Sequence, residues 1–126
     1  MPMVFWVALG GALGASGRYL TGVWAARLLG HGFPYGTLIV NVVGCFLMGA
    51  IVEAAALKWS LSQEMRAFLT TGVLGGFTTF SAFALDLAVL YERKATGLAT
   101  LYLGASVFLS IAALLAGLWL VRAVLQ

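Results

Sequence analysis

The sequence predicts an all-α membrane protein with four transmembrane helices per protomer, forming a single domain over residues 1–126. Hydrophobic residues make up 63% of the chain and charged residues only 9%, far from the composition of a soluble domain. Four stretches, 4–29, 35–57, 67–90 and 98–121, are long enough to cross roughly 30 Å of hydrocarbon. They lack the polar and apolar alternation of a membrane β-barrel. We therefore expect a multi-pass helical protein that retains its first span.

The scarcity of cysteine, histidine and charge excludes several classes of protein. Cys45 and His31 are the only cysteine and histidine, too few for a disulfide framework or a Cys/His metal site. The connections are short and leave no catalytic domain outside the membrane, so we expect neither an enzyme nor an organic cofactor. The net charge of +3 is spread over the helix ends, so we expect a lipid bilayer and no nucleic acid as partner.

The cations outside the spans are balanced between the two ends of the predicted bundle. One end carries Lys58, Arg66 and Arg122, and the other carries Arg27, Arg93 and Lys94. An excess of lysine and arginine normally sets the orientation of a membrane protein. Because neither end has an excess, both orientations are expected. Copies inserted in opposite directions would form an antiparallel, dual-topology homodimer.

The first span combines small residues with a cation. Its glycines recur at four-residue spacing on one face: Gly10, Gly14 and Gly22. Such a face usually serves close helix packing. Arg18 continues the same face, where an unshielded guanidinium costs at least ~2.5 kcal/mol. It either reaches the surface or pairs with Asp86 or Glu53, or it stands at a wet entrance and attracts anions.

The second span contains one amide in an apolar run. Thr37 and Asn41 lie four residues apart and so share a face. Two donors and an acceptor on Asn41 need partners, which a neighbouring helix or a permeating ion would supply. Cys45 is expected to pack as a small apolar residue.

The third span predicts a helix broken at mid-membrane. Gly75, Gly76, Thr78 and Thr79 concentrate poor helix formers, and a break there would free backbone carbonyls. Irregular backbone inside a membrane requires protein, water or an ion to satisfy it. The phenylalanines of this span recur at three-residue spacing: Phe77, Phe80 and Phe83. They pack or face lipid, or their positive ring edges face an anion.

The fourth span carries a stripe of hydroxyl groups. Tyr102, Ser106 and Ser110 follow one another at four-residue spacing on an otherwise apolar helix. The serines either bond back to the preceding turn or offer successive donors to a dehydrating anion.

Three segments together resemble the Fluc fluoride channel family, also called CrcB. They are GGALGASGRY (10–19), GTLIVNVVGCFLMG (36–49) and GGFTTFSAF (75–83). The resemblance implies a homodimer of antiparallel protomers with two pores that export fluoride passively across the inner (cytoplasmic) membrane. One departure is Ala82, where the family commonly has threonine.

The resemblance also assigns roles to residues. It implies that Phe80 and Phe83 line the pore and that Asn41 is the pore amide, with Thr37 near the vestibule and Arg18 drawing anions to the entrance. It further implies the polar track of Ser106 and Ser110. A structural sodium ion would be held on the dimer axis by backbone carbonyls of Gly75 and Thr78.

Two other classes of function remain open at this stage. A proton-coupled cation exporter resembling the small multidrug transporters is also short and four-spanned, but it needs a carboxylate within the membrane. Here Glu53 and Asp86 lie toward the ends of their spans. A scaffold protein that transports nothing would use the glycines but leave the amide, rings and hydroxyls without a purpose.

Overall fold

The computed structural model of the protein describes residues 2–126. The predicted domain over 1–126 also includes Met1, which lies outside the described residues. Within residues 2–126 the regular structure is entirely helical and contains no strand. In chain order it consists of α1 (Met3–Leu29), α2 (Tyr35–Leu57), α3 (Gln63–Arg66), a π-helical segment (Ala67–Leu74), α4 (Gly75–Phe77), α5 (Phe80–Glu92) and α6 (Thr96–Leu125).

Three helical stretches among the described residues are long and apolar enough to cross a membrane. They are Tyr35–Leu57, Gln63–Glu92 and Thr96–Leu125. Helix α1 has 27 residues but is not among them, because its glycines and Arg18 lower its mean hydropathy. The three stretches indicate a multi-pass membrane protein.

Local sequence explains where the helices begin and end. Helix α1 ends at Gly30, whose φ of 86° is a conformation that glycine adopts without a Cβ penalty. Pro34 directly precedes α2, where its missing N–H is not needed. Ser62 caps α3 by accepting a hydrogen bond from the N–H of Met65 at 3.1 Å. Short turns therefore separate the long helices.

Glycines let α1 approach the π-helical segment at backbone distance. A Cβ on Gly10 would lie 2.9 Å from the Cα of Gly72, and one on Gly14 would meet the carbonyl oxygen of Val73. A Cβ on Gly22 meets nothing within 4 Å, although Gly36 of α2 approaches its backbone. The packing interpretation of Gly10 and Gly14 is confirmed.

Helix α2 makes its most extensive packing with α6. Gly49 and Gly117 lie at this contact, where a Cβ on Gly117 would be 2.9 Å from the backbone nitrogen of Ala50. Near the same end, Arg122 donates to the carboxylate of Glu53 at 2.7 Å. This ion pair joins the last turns of the two helices.

The helical stretch Gln63–Glu92 is interrupted at two threonines. Thr78 has φ −84° and ψ 158°, and Thr79 has φ −154° and ψ 121°. Both are extended, whereas Gly75 and Gly76 remain helical within α4. Helix α5 then begins at Phe80, with the Thr79 hydroxyl accepting the N–H of Ala82 at 3.1 Å. The interruption thus falls on the threonines, because a threonine side chain can cap the helix that follows.

Candidate functional site

Asn41 on α2 holds the interruption by two hydrogen bonds. Its Nδ2 donates to the carbonyl of Thr79 at 3.0 Å, and its Oδ1 accepts from the N–H of Thr79 at 2.8 Å. An extended residue presents both of these groups sideways, so one side-chain amide can satisfy the pair. The structure therefore supplies Asn41 with a partner on a neighbouring segment, and one Nδ2–H is left over for another acceptor.

A cavity of about 340 Å³ opens beside this contact. Its lining consists of Asn41, Cys45, Thr78, Thr79, Phe80, Phe83, Ser106, Val107, Ser110 and Ile111. Five of the six residues that the resemblance assigns to the fluoride path therefore line one cavity, and only Thr37, assigned to the vestibule, lies elsewhere. Apolar walls with a few polar groups are typical of a binding site.

The hydroxyls of Ser106 and Ser110 face this cavity without a hydrogen-bond partner. Both Oγ atoms are buried and make no hydrogen bond of good geometry among the described residues, although the thiol of Cys45 lies near Ser110 and the hydroxyl of Tyr102 lies near Ser106. Thr100, six residues before Ser106 on α6, instead donates back to the carbonyl of Thr96 at 2.9 Å. A buried polar group without a partner costs about 1–3 kcal/mol. These two hydroxyls therefore call for a ligand or water inside the cavity.

The two predicted pore rings differ strongly in burial. Phe83 is 6% exposed and packs on Tyr102, with ring centroids 5.2 Å apart. Phe80 is 78% exposed, although its ring centroid lies only 5.4 Å from that of Phe83. Phe77 lies apart from both, near Gly17 of α1, because the interruption separates it from α5. The regular three-residue spacing thus does not place all three rings on one face.

Arg18 lies beside the interruption but on another side of it. Its Nε donates to the carbonyl of Gly76 at 3.1 Å. Neither expected carboxylate pairs with it among the described residues, since Glu53 bonds to Arg122 and Asp86 accepts from other groups. Arg18 instead lines a separate cleft of about 580 Å³ together with Thr37, Thr79 and Ala82.

A cluster around Asp86 was not predicted from the sequence. Its Oδ2 accepts from the hydroxyl of Thr37 at 2.8 Å and from that of Tyr102 at 3.2 Å. The signal lay in the spacing, because Asp86 follows Thr79 by two helical turns and Thr37 precedes Asn41 by one. The two pairs of residues thus meet face to face.

Two carbonyls next to the interruption lose their α-helical donors. In a continuous helix the N–H of Thr79 would bond to Gly75 and the N–H of Ala82 to Thr78. These two donors bond instead to Asn41 Oδ1 and Thr79 Oγ1. The carbonyl oxygens of Gly75 and Thr78 are the acceptors that the family resemblance assigns to a sodium ion, and backbone oxygen is a ligand suited to a hard cation.

Comparison with known proteins gives a consistent match over nearly the whole chain. Residues 5–118 match the family described as CrcB-like protein, Camphor Resistance (CrcB). A relative from Agrobacterium fabrum named fluoride-specific ion channel FluC is 59% identical over 92% of this chain and 93% of its own. A relative of the same name from Cereibacter sphaeroides is 60% identical over 92% of this chain and 91% of its own. Another, from Rhizobium etli, is 53% identical over 98% of each chain.

Proposed function

This chain belongs to the family of CrcB-like proteins, and we propose that it is a fluoride-selective channel through which fluoride leaves the cell passively across the cytoplasmic membrane. Relatives that are 53% to 60% identical are named fluoride-specific ion channels. The chain is not an enzyme. In this chain the ion would pass through the cavity lined by Asn41, Phe83 and Ser106.

The unpartnered hydroxyls of Ser106 and Ser110 carry the proposal. Fluoride is small and holds its water tightly, so a selective path has to replace that water with fixed donors. Two buried O–H groups beside one cavity are such donors. The remaining Nδ2–H of Asn41 adds a third at the same cavity. Chloride is larger and would be excluded by the same narrow path.

The rings of Phe83 and Phe80 supply the rest of the path. The edge of a phenyl ring is positive and attracts an anion that has lost part of its water. Phe83 is held against Tyr102, which fixes its direction. The large exposure of Phe80 in a single chain supports a second copy that covers this ring.

We assign the assembly as an antiparallel homodimer of four-span protomers with two pores and the third helix broken at mid-membrane. Helix α1 has 27 residues and would be about 40 Å long, enough to serve as the fourth span. The equal cation count at the two ends supports both orientations. An impermeant thiol reagent should label a Gly32→Cys variant, made on a Cys45→Ala background, in half of the copies from each side of a vesicle. Labelling of every copy from one side only would rule out dual topology.

A sodium ion bound by the carbonyls of Gly75 and Thr78 fits the loss of their helical donors. Such an ion would add positive charge between the two copies and hold the interrupted segments together. Replacing sodium by N-methyl-D-glucamine in every buffer should lower the fluoride flux and the thermal stability of the dimer. Identical stability in both cations would remove sodium from the proposal.

Arg18 and Thr37 belong to the vestibule in this proposal. Both line the cleft of about 580 Å³ next to the interruption. A guanidinium in a wet cleft raises the local concentration of anions. An Arg18→Gln variant should therefore lose flux most at low ionic strength, where charge is least screened, and an equal loss at all salt concentrations would contradict this role.

Reconstitution in liposomes tests the function directly. Vesicles loaded with fluoride and carrying the purified protein should release it to a fluoride electrode once a potassium ionophore dissipates the membrane potential. Vesicles loaded with chloride should release it far more slowly. Equal rates for the two halides would refute selectivity, and no release of either would refute the channel.

A further inference from the structure

A groove at the end of the bundle that carries Lys58 is not used by the proposed ion path. It lies between the last turns of α2 and the start of the third span and has a volume of about 580 Å³. Its lining consists of Met48, Ile51, Val52, Ala55, Ala56, Leu61, Arg66, Thr70 and Thr71. A second cavity of about 540 Å³ adjoins it on the other side of Arg66. We call the first of these the Arg66 groove.

Arg66 provides a cation that no carboxylate among the described residues neutralises. The ion pair in that part of the chain joins Arg122 to Glu53, and Arg66 is exposed. Two hydroxyl residues, Thr70 and Thr71, line the groove one turn further along. The hydroxyl of Thr70 donates to the carbonyl of Arg66 at 2.8 Å. The polar end of the groove is therefore cationic, and its lining contains no acidic side chain.

The rest of the groove is apolar and runs toward the middle of the membrane. Its α2 wall extends from Ala56 to Met48, a distance of about 12 Å along a helix. Lys58 and Trp59 follow α2 directly and are exposed, which is typical of residues at the level of lipid headgroups. Arg66 consequently lies at headgroup depth with the apolar wall below it.

We propose that the Arg66 groove binds one anionic phospholipid, with its phosphate on Arg66 and an acyl chain against the α2 wall. A basic residue at headgroup depth beside an apolar wall complements both parts of such a lipid. The phosphate also offers oxygen acceptors to the guanidinium, which binds them through two parallel N–H groups.

A second copy of this chain complements the groove less well. Both ends of the bundle carry three cations outside the spans, so either orientation of a second copy brings further positive charge toward Arg66. With the acidic residues counted, Glu53 and Glu64 at the near end and Asp86 and Glu92 at the far end, each end keeps a net side-chain charge of +1. Charge therefore favours a lipid as the occupant.

Native mass spectrometry of the purified full-length protein in detergent tests the proposal. Palmitoyl-oleoyl phosphatidylglycerol is titrated against the zwitterionic phosphatidylcholine of the same chains. The wild type should retain phosphatidylglycerol preferentially, and Arg66→Gln should lower its apparent affinity about fivefold, the factor expected for one basic contact at a membrane surface. Arg66→Lys should restore part of the preference, because it returns the charge without the paired N–H groups.

Matched variants make the result specific. Lys58→Gln removes a cation at the same end that does not line the groove, and Arg27→Gln removes one at the other end; both should bind as the wild type does. Ala55→Phe should fill the groove and reduce binding of both lipids while leaving the charge in place. Equal losses in Arg66→Gln and Lys58→Gln would overturn the site.

Two further readouts distinguish a bound lipid from a second copy of the chain, and the lipid site from the channel. If Arg66→Gln dissociates the dimer without changing lipid retention, a second copy covers the groove and the lipid proposal fails. Fluoride release from vesicles is measured on the same preparations. If lipid binding depends on Arg66 but the protein releases no fluoride, the lipid site stands and the channel is refuted. If the protein releases fluoride but lipid binding does not depend on Arg66, only the lipid site is refuted.

Discussion

Replacing Asn41 by leucine tests the contact that holds the interrupted helix. Leucine has a similar size but no polar group, so the variant removes both hydrogen bonds to Thr79, at 3.0 Å and 2.8 Å, with little change in packing volume. The N–H and carbonyl of Thr79 are then left without their partner. Continuing the helix through Thr79 would satisfy them but would move Phe80 and Phe83 away from the cavity.

The expected loss of stability follows from the N–H and carbonyl of Thr79, which lose their hydrogen-bond partner. Each buried polar group without a partner costs about 1–3 kcal/mol. Thr79 is only partly buried, which allows some hydration, so we expect a loss of about 2–3 kcal/mol in the free energy of unfolding.

Tryptophan fluorescence during titration with sodium dodecyl sulfate measures the unfolding, and fluoride release measures the flux. Cys45→Ala is the matched control, since Cys45 lines the same cavity one turn away and makes no hydrogen bond to Thr79. We expect Asn41→Leu to be destabilised and to lose flux, and Cys45→Ala to change the free energy of unfolding by about 1 kcal/mol or less. If the two variants unfold alike, the two hydrogen bonds do not stabilise the interruption.

Three further changes give separate tests. Changing Ser106 or Ser110 to alanine should leave the free energy of unfolding unchanged or slightly higher, because the lost hydroxyl had no partner. Fluoride flux should fall at least tenfold, because a donor to the anion is lost. A large destabilisation, followed by Trp fluorescence, would mean that these hydroxyls bond within the protein. Gly14→Ala should destabilise the protein by about 1–3 kcal/mol, because its Cβ meets the backbone of the π-helical segment, whereas Gly11→Ala, whose Cβ meets nothing within 4 Å, should unfold at the same detergent concentration as the wild type. Phe80→Ile should lower fluoride flux in vesicles while chemical cross-linking still captures the dimer, and unchanged flux would remove that ring from the path.

The contacts of the two carboxylates in this chain favour a channel over a proton-coupled cation exporter. Such a transporter exchanges its cargo with a proton on an acidic group inside the membrane. Glu53 is already paired with Arg122 at 2.7 Å, and Asp86 accepts from two hydroxyls. Both acids therefore already make contacts within this chain, and neither lines the cavity beside Asn41.

The helices and the set of cavity residues were predicted correctly, whereas the hydrogen-bond partners of individual side chains were not. Apolar length alone located α2 at its observed bounds, 35–57, and placed the last predicted span within α6, Thr96–Leu125. The resemblance to the fluoride channel family grouped Asn41, Phe83 and Ser106, and the three residues do line one cavity. The helix bounds, in contrast, follow from one helix at a time.

What the sequence did not predict depends on how two helices are rotated and shifted relative to each other. Arg18 reaches the carbonyl of Gly76 rather than a carboxylate, and the acceptor for Thr37 is Asp86. The first contact depends on the close approach of α1 at Gly10 and Gly14, the second depends on how α2 packs beside α5, and no single-helix pattern contains either. The π-helical segment is equally hidden, since its sequence has the composition of an ordinary apolar helix.

That π-helical segment makes the chain sensitive to its own length. In a π-helix the N–H groups bond to carbonyls five residues back, as the N–H of Gly75, directly after the segment, does to Thr70, so Ala67–Leu74 contains more residues per turn than an α-helix. Deleting one residue there would restore α-helical winding and turn everything downstream by about 100°, carrying Thr79 away from Asn41. Loss of one residue from the 58–62 turn only shortens an exposed connection. We expect fluoride release to disappear in the first deletion and to persist in the second. The number of residues in the π-helical segment would then be essential, whereas the length of the 58–62 turn would not.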